Sequence, residues 1–111
     1  HLILPVEQAG TEASWFGFPI TLKNSLAGKR ESIVETLNSK GVGTRLLFAG
    51  NVTKQPYFEG VHHRVCGSLI NTDEIMKNTF WVGVYPGLSD DHIDYMIQVI
   101  TAVLSREVEH F

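Results

Sequence analysis

The chain has 111 residues, with nine basic and twelve acidic side chains, a net charge of −3 and a single cysteine. Such a length suits one domain that buries roughly two-thirds of its unfolded surface without a metal or disulfide staple. The charge balance excludes a basic stripe for nucleic acid or an anionic membrane, and no apolar run reaches the ~18 residues of a membrane span, so the expected setting is the reducing cytoplasm.

The chain begins at His1 and not Met, and residues 1–13 read as a tether from an upstream domain, with 14–111 as the domain proper. Over 14–23, Phe16, Phe18, Ile20 and Leu22 alternate with Trp15, Gly17, Pro19 and Thr21, which predicts a strand with an apolar even-numbered face. Pro19 cannot donate to a ladder, so it belongs at an edge or a bulge. Residues 28–40 follow as an amphipathic helix on Ile33, Val34 and Leu37, with Gly41 as a left-handed stop. Residues 43–48 make a second strand. A loop holding Gly50, Asn51 and Pro56 then leads into an irregular stretch through His62, His63 and Cys66.

A short helix is predicted from about Asn71, with Asn71 as its cap, Glu74 reaching back and Ile70 stapled onto Ile75. From Thr79 the bulky residues alternate as in a strand, which Pro86-Gly87 breaks. Ser89 caps a helix over 89–107 that aligns Ile93, Met96, Ile97, Ile100, Val103 and Leu104 along one side. Asp90 and Asp91 suit the positive end of its dipole. This order predicts an α+β fold of about three mainly antiparallel strands with helices on one face.

Chemistry-bearing residues are few. Adjacent His62 and His63 point to opposite faces of an extended segment, so no metal site is expected. Cys66 reads as a small apolar residue, buried or half-buried. Gly41-Val42-Gly43 leaves a helix for a strand, the reverse of a phosphate loop. Trp15, Phe16 and Phe18 are either core aromatics or ligand-facing ones. Arg45, inside an apolar strand, needs solvent, a carboxylate or an anionic ligand. Asn51 is either a turn residue or an extension of the Arg45 site. With no nucleophile–base pair, acid–base dyad or cofactor motif, no catalytic residue is assigned. The chain reads as a wall or lid that a larger body completes.

The segments Ser14-Trp-Phe-Gly-Phe-Pro-Ile-Thr21, Gly43-Thr-Arg-Leu-Leu-Phe-Ala-Gly-Asn51, Gln55-Pro-Tyr-Phe58 and Asn71-Thr-Asp through Asn78-Thr-Phe-Trp to Tyr85-Pro-Gly87 carry a resemblance. Together they resemble the C-terminal domain of the CDP-6-deoxy-hexulose 3-dehydrase family of lipopolysaccharide and O-antigen sugar synthesis. That family is a branch of the DegT/DnrJ/EryC1/StrS aminotransferases. The resemblance implies the small C-terminal domain of the aspartate-aminotransferase architecture (PLP fold type I).

It also implies a parent enzyme that uses pyridoxamine or pyridoxal phosphate and an iron–sulfur cluster to remove the C-3 hydroxyl of a CDP-6-deoxy-4-keto sugar. An NADH-dependent iron–sulfur flavin reductase would supply electrons to what is expected to be a homodimer. The family's cofactor-anchoring histidine and cluster cysteines lie upstream, so the ligands of both groups fall outside this chain, and Cys66 matches no cluster position. Phe16 stands where aminotransferase cousins carry a cofactor-facing histidine. Arg45 and Asn51 fall in the segment that approaches the sugar-nucleotide pocket, and Glu74 stands where some relatives are basic. Two alternatives stay open: the small domain of a nucleotide-sugar aminotransferase, and a binding or dimerisation module with no catalytic parent.

Overall fold

The computed structural model describes residues 1–109. The last two residues of the expected domain lie outside the described residues. Four strands and three α-helices occur in the order β1 (Leu2–Ile3), β2 (Gly17–Leu22), α1 (Arg30–Ser39), β3 (Thr44–Leu46), α2 (Ile70–Asn78), β4 (Thr79–Gly83) and α3 (Asp90–Glu109). The strands form one sheet in the order β1-β2-β4-β3, with every neighbouring pair antiparallel. The α+β expectation therefore holds, with one strand more than anticipated: Leu2–Ile3, in the segment read as a tether, pairs with Thr21–Leu22.

Alternation along β2 and β4 divides the sheet into two unlike faces. Phe18, Ile20 and Leu22 lie opposite or beside Val82 and Phe80 on one face, which α1 and α3 cover with Ile33, Leu37, Val103 and Leu104. Phe80 and Ile33 are fully buried in this core, and burying such a side chain is worth about 1.5–3 kcal/mol. Pro19 sits on the other face, paired with Trp81. Because β1 stops at the residue opposite Thr21, β2 is an edge strand where Pro19 occurs, and the missing N–H deprives no neighbour.

Helix α1 ends as its sequence requires. Gly41 has φ +79°, and its N–H reaches Asn38 O while Val42 N–H reaches Leu37 O at 3.0 Å. These bonds satisfy the last carbonyls, and buried Val42 and Leu37 supply the accompanying apolar contact. Ser89 caps α3 as expected, its Oγ accepting from His92 N–H at 3.4 Å. His92 closes the cap in return, Nδ1 accepting from Ser89 N–H at 3.1 Å, so an imidazole takes the place usually held by Glu or Gln.

Helix α2 departs from its predicted cap. It starts at Ile70, so Asn71 lies inside the first turn, and no side chain caps it. Glu74 instead accepts from Asn78 Nδ2 at 2.9 Å, and Asn78 Oδ1 accepts from Gly28 N–H at 2.8 Å. This fully buried asparagine ties α2 to the turn before α1, which outweighs the local capping signal. Along α3, Val103 and Leu104 are buried, whereas Ile93 and Ile97 remain exposed and line an open apolar depression with Phe18 and Val82.

Candidate functional site

The uncovered sheet face is organised around Trp81. Its cross-strand partners are Pro19 on β2 and Arg45 on β3, so the indole lies between a rigid ring and a guanidinium. Gly17 makes room for it: a Cβ built there would fall 2.1 Å from Trp81 Cε3. Phe16 precedes the strand at a bend, which takes it out of the predicted even-numbered face and onto Trp81, with ring centroids 5.0 Å apart. Phe48 packs on the same indole at 5.5 Å. Both phenyl rings are mostly in solvent, at 78% and 79% exposure, although each is placed by a specific aromatic contact.

Arg45 is exposed beside this row and donates to the Thr44 carbonyl at 2.9 Å. Among the described residues it forms no salt bridge. Phe16, Gly17, Arg45, Trp81 and Gly83 share a depression of about 300 Å³. Its lining holds no Lys, His, Asp or Glu, so it offers a cation and aromatic surface but no covalent anchor and no proton-transfer base. Trp81 Nε1–H is buried without a partner among the described residues.

Phe48 owes its position to the turn after β3. Its φ of +47° is left-handed, a conformation that costs a non-glycine residue roughly 1–2 kcal/mol. Gly50 N–H closes this turn onto Leu47 O at 3.1 Å, and Gln55 Nε2 holds Ala49 O at 2.6 Å. Gly50 itself has φ +61°, and any Cβ there would meet Met76 Cγ at 2.4 Å.

Asn51 anchors the far side of this loop and is only 2% exposed. Its Nδ2 donates to Asp73 Oδ1 at 2.7 Å, and its Oδ1 accepts from Thr53 N–H and Oγ1 at 3.1 and 2.7 Å. Lys54 pairs with Asp73 at 2.9 Å. The Asn51 amide, and after it Lys54, hold the Asp73 carboxyl below its ordinary pKa. Of the three residues singled out from the sequence, Phe16 and Arg45 thus meet in one depression, while Asn51 lies beneath the loop that carries Phe48.

Trp81 and Phe48 are the members of this face that sequence reasoning passed over. The parity of β4 could have found Trp81, since Phe80 and Val82 both point to the core. For Phe48 the only local signal is a large apolar residue directly before Ala49-Gly50-Asn51. Cys66, expected to be at least half-buried, is exposed, because the segment around it contributes nothing to the core. Among the described residues no group of three or more His, Cys, Asp or Glu could hold a metal ion. A second depression of about 520 Å³, between Leu2, Phe18 and the exposed side of α3, is lined mainly by apolar residues, with Tyr85 and Thr101 and no charged group, so the candidate chemistry stays with Arg45.

The model of the DegT/DnrJ/EryC1/StrS aminotransferase family matches residues 2–101. The chain belongs to this family. It is 52% identical over 96 residues to the lipopolysaccharide biosynthesis protein RfbH of Salmonella typhimurium, covering 86% of this chain and 22% of that protein. It is 44% identical over 105 residues to the dTDP-4-dehydro-2,6-dideoxy-D-glucose 3-dehydratase of Saccharopolyspora spinosa, covering 95% of this chain and 23% of that enzyme. Among solved structures, the E. coli GDP-4-keto-6-deoxy-D-mannose 3-dehydratase with bound hydrated PLP superposes with a TM-score of 0.71 and 34% identity, over 87% of this chain and 25% of that one.

This DegT/DnrJ/EryC1/StrS chain thus spans about a quarter of the length of its relatives and matches their C-terminal region. Its four-stranded sheet and three helices form the small α+β domain of aminotransferase-fold enzymes, as the sequence resemblance implied. Among the described residues no helix is long and apolar enough to cross a membrane.

Proposed function

We propose that this chain is the small C-terminal domain of a pyridoxamine-phosphate-dependent CDP-4-keto-6-deoxyglucose 3-dehydratase serving dideoxysugar and O-antigen synthesis. Residues 1–13 lead in from the cofactor domain and 14–111 close the active site with the face bearing Phe16 and Arg45. The observation that carries this reading is the 52% identity to a lipopolysaccharide biosynthesis protein. An uncovered aromatic face with an arginine that forms no salt bridge among the described residues adds to it.

The residues present suit a covering role toward the cofactor. Arg45 can meet a phosphate and the aromatic rings can exclude water, while the anchoring and proton-transfer groups belong to the upstream domain. When bound there, pyridoxamine phosphate supplies the electron sink for C-3 deoxygenation. The net change replaces the C-3 hydroxyl by hydrogen and releases water, with electrons drawn from NADH through the iron–sulfur flavin reductase and the parent's cluster. The parent is read as a cytoplasmic homodimer, and the chain alone as inactive.

The test is to express the complete reading frame and supply the CDP-4-keto sugar, pyridoxamine phosphate, reductase and NADH. Mass spectrometry should find the sugar one oxygen lighter. Transfer of an amino group from glutamate to C-4 instead would make the parent an aminotransferase, and neither product would point to a non-catalytic module.

A further inference from the structure

Helix α2 meets the turn after β3 through the thioether of Met76. Asn51 N–H donates to its Sδ at 3.3 Å, and Gly50 leaves room for the side chain, since a Cβ there would meet Met76 Cγ at 2.4 Å. The Met76 carbonyl in turn accepts from Arg30 Nη1. Arg30, Gln55 and Met76 share with residues 46–50 a depression of about 100 Å³. A water takes up roughly 30 Å³ of its liquid, so this space admits hydrogen peroxide, which has one heavy atom more.

Arg30 Nε–H is buried at this depression and has no partner among the described residues. A thioether sulfur carries two lone pairs, of which the Asn51 amide takes one. The chain thus places an unmatched donor and an available sulfur lone pair around one small space. A buried donor left unmatched is costly, and an oxygen atom on that sulfur would match it.

We propose that Met76 is a reversible oxidation site, with hydrogen peroxide as the oxidant and Arg30 as the group that receives the new oxygen. The Sδ lone pair attacks one peroxide oxygen and the O–O bond breaks. The departing hydroxide takes the proton from the transferred oxygen and leaves as water, so the sulfur loses the electron pair that the peroxide gains. A thiol-dependent reductase reverses the step, two thiols becoming a disulfide and the oxygen leaving as water. The sulfoxide oxygen accepts from Arg30 Nε–H, whereas the electron-poor sulfur holds the Asn51 amide less well. Oxidation thereby loosens the Gly50–Asn51 turn and tightens the tie between α2 and the start of α1.

The test uses a chain with Cys66→Ser and Met96→Leu, in which Met76 holds the last sulfur, and the same chain with Arg30→Lys, which keeps the charge but lacks the guanidinium. Dilute peroxide under native conditions should add one oxygen at Met76, read by peptide mass spectrometry. Oxidation should move the melting temperature of the Arg30 chain by less than about 2 °C and lower that of the Arg30→Lys chain by roughly 4–8 °C, since the sulfoxide then lacks its buried donor. By hydrogen exchange, the Asn51 amide of the oxidised Arg30 chain should exchange about tenfold faster than that of the reduced one. Oxygen added only once the chain unfolds, equal melting losses with and without Arg30, or an unchanged Asn51 exchange rate overturns the proposal. The first and last of these readings need only the Arg30 chain, so a poorly folded Arg30→Lys variant leaves the proposal open to refutation.

Discussion

Replacing Gly17 by Ala probes the packing that shapes the candidate site. The added Cβ would lie 2.1, 2.7 and 2.8 Å from Trp81 Cε3, Cζ3 and Cδ2. Carbon atoms pack at about 3.5–4.0 Å, so the indole must move by roughly 1.5 Å. Trp81 can swing only outward, because the β2 backbone lies beneath it, and outward motion breaks the packing with Phe16 and Phe48. Overpacking of this kind costs about 1–3 kcal/mol. For a chain near this size the melting temperature should drop by roughly 4–12 °C.

The control is Gly83→Ala at the cross-strand partner of Gly17, where a Cβ meets nothing within 4 Å. Relief of strand glycine entropy should make that change neutral or stabilising, by up to about 0.5–1 kcal/mol. Thermal denaturation followed by circular dichroism reads both variants. A Trp81→Ala background should reverse the sign of Gly17→Ala, since only the backbone gain then remains. Equal shifts for Gly17→Ala and Gly83→Ala, or an unchanged cost once Trp81 is removed, would refute the argument.

Other expectations follow from the same geometry. Asn51→Ala removes a buried bond to the Asp73 carboxylate and two to Thr53, so chemical denaturation should find about 2–3 kcal/mol less stability. Asp73 titrates below its ordinary value of 3.8 when folded, so the unfolded chain binds its proton more readily. Its contribution is present above that value and is lost as pH falls through the lowered folded pKa, and Asp73→Asn should flatten this acid limb in melting curves taken from about pH 5 downward. With Phe16 and Phe48 uncovered, the chain should self-associate at high concentration in light scattering, and a Phe16→Ser, Phe48→Ser double variant should reduce it. Monodisperse behaviour of the unaltered chain at high concentration counts against that expectation.

Local chemistry made much of the fold legible. Gly41 announced the end of α1 because few residues accept its backbone, and Ser89 announced α3 because a hydroxyl satisfies an orphan amide. Period-two alternation gave the inward set Phe18, Ile20 and Leu22. Phe16 escaped this pattern, since one bend before Gly17 carries it to the opposite face. The α2 cap misled for a related reason: Asn71 had the right chemistry, but Asn78 and Gly28, fifty positions apart, decided where the helix sits. Strand β1 was invisible because two residues carry no periodicity. Phe48 could not be placed because its loop is fixed by side-chain bonds that leave no periodic signal, from Gln55 six residues beyond Ala49 and from Asp73, which lies 22 positions beyond Asn51.

The two sheet faces obey different rules, and the difference bears on function. A face meant only for water would favour charged and branched polar residues, whereas a core face would exclude Arg45. This face does neither. It sets Gly17 and Pro19 against Trp81, leaves two phenyl rings in solvent and, among the described residues, keeps a guanidinium without a salt bridge. Substitutions at Phe48 or Arg45 should therefore leave core packing untouched, since Phe80 and Val82 project from the opposite side of β4. Gly17 is the exception. There the β2 backbone that carries the core lies directly against the indole that shapes the site, and a single methyl group couples the two.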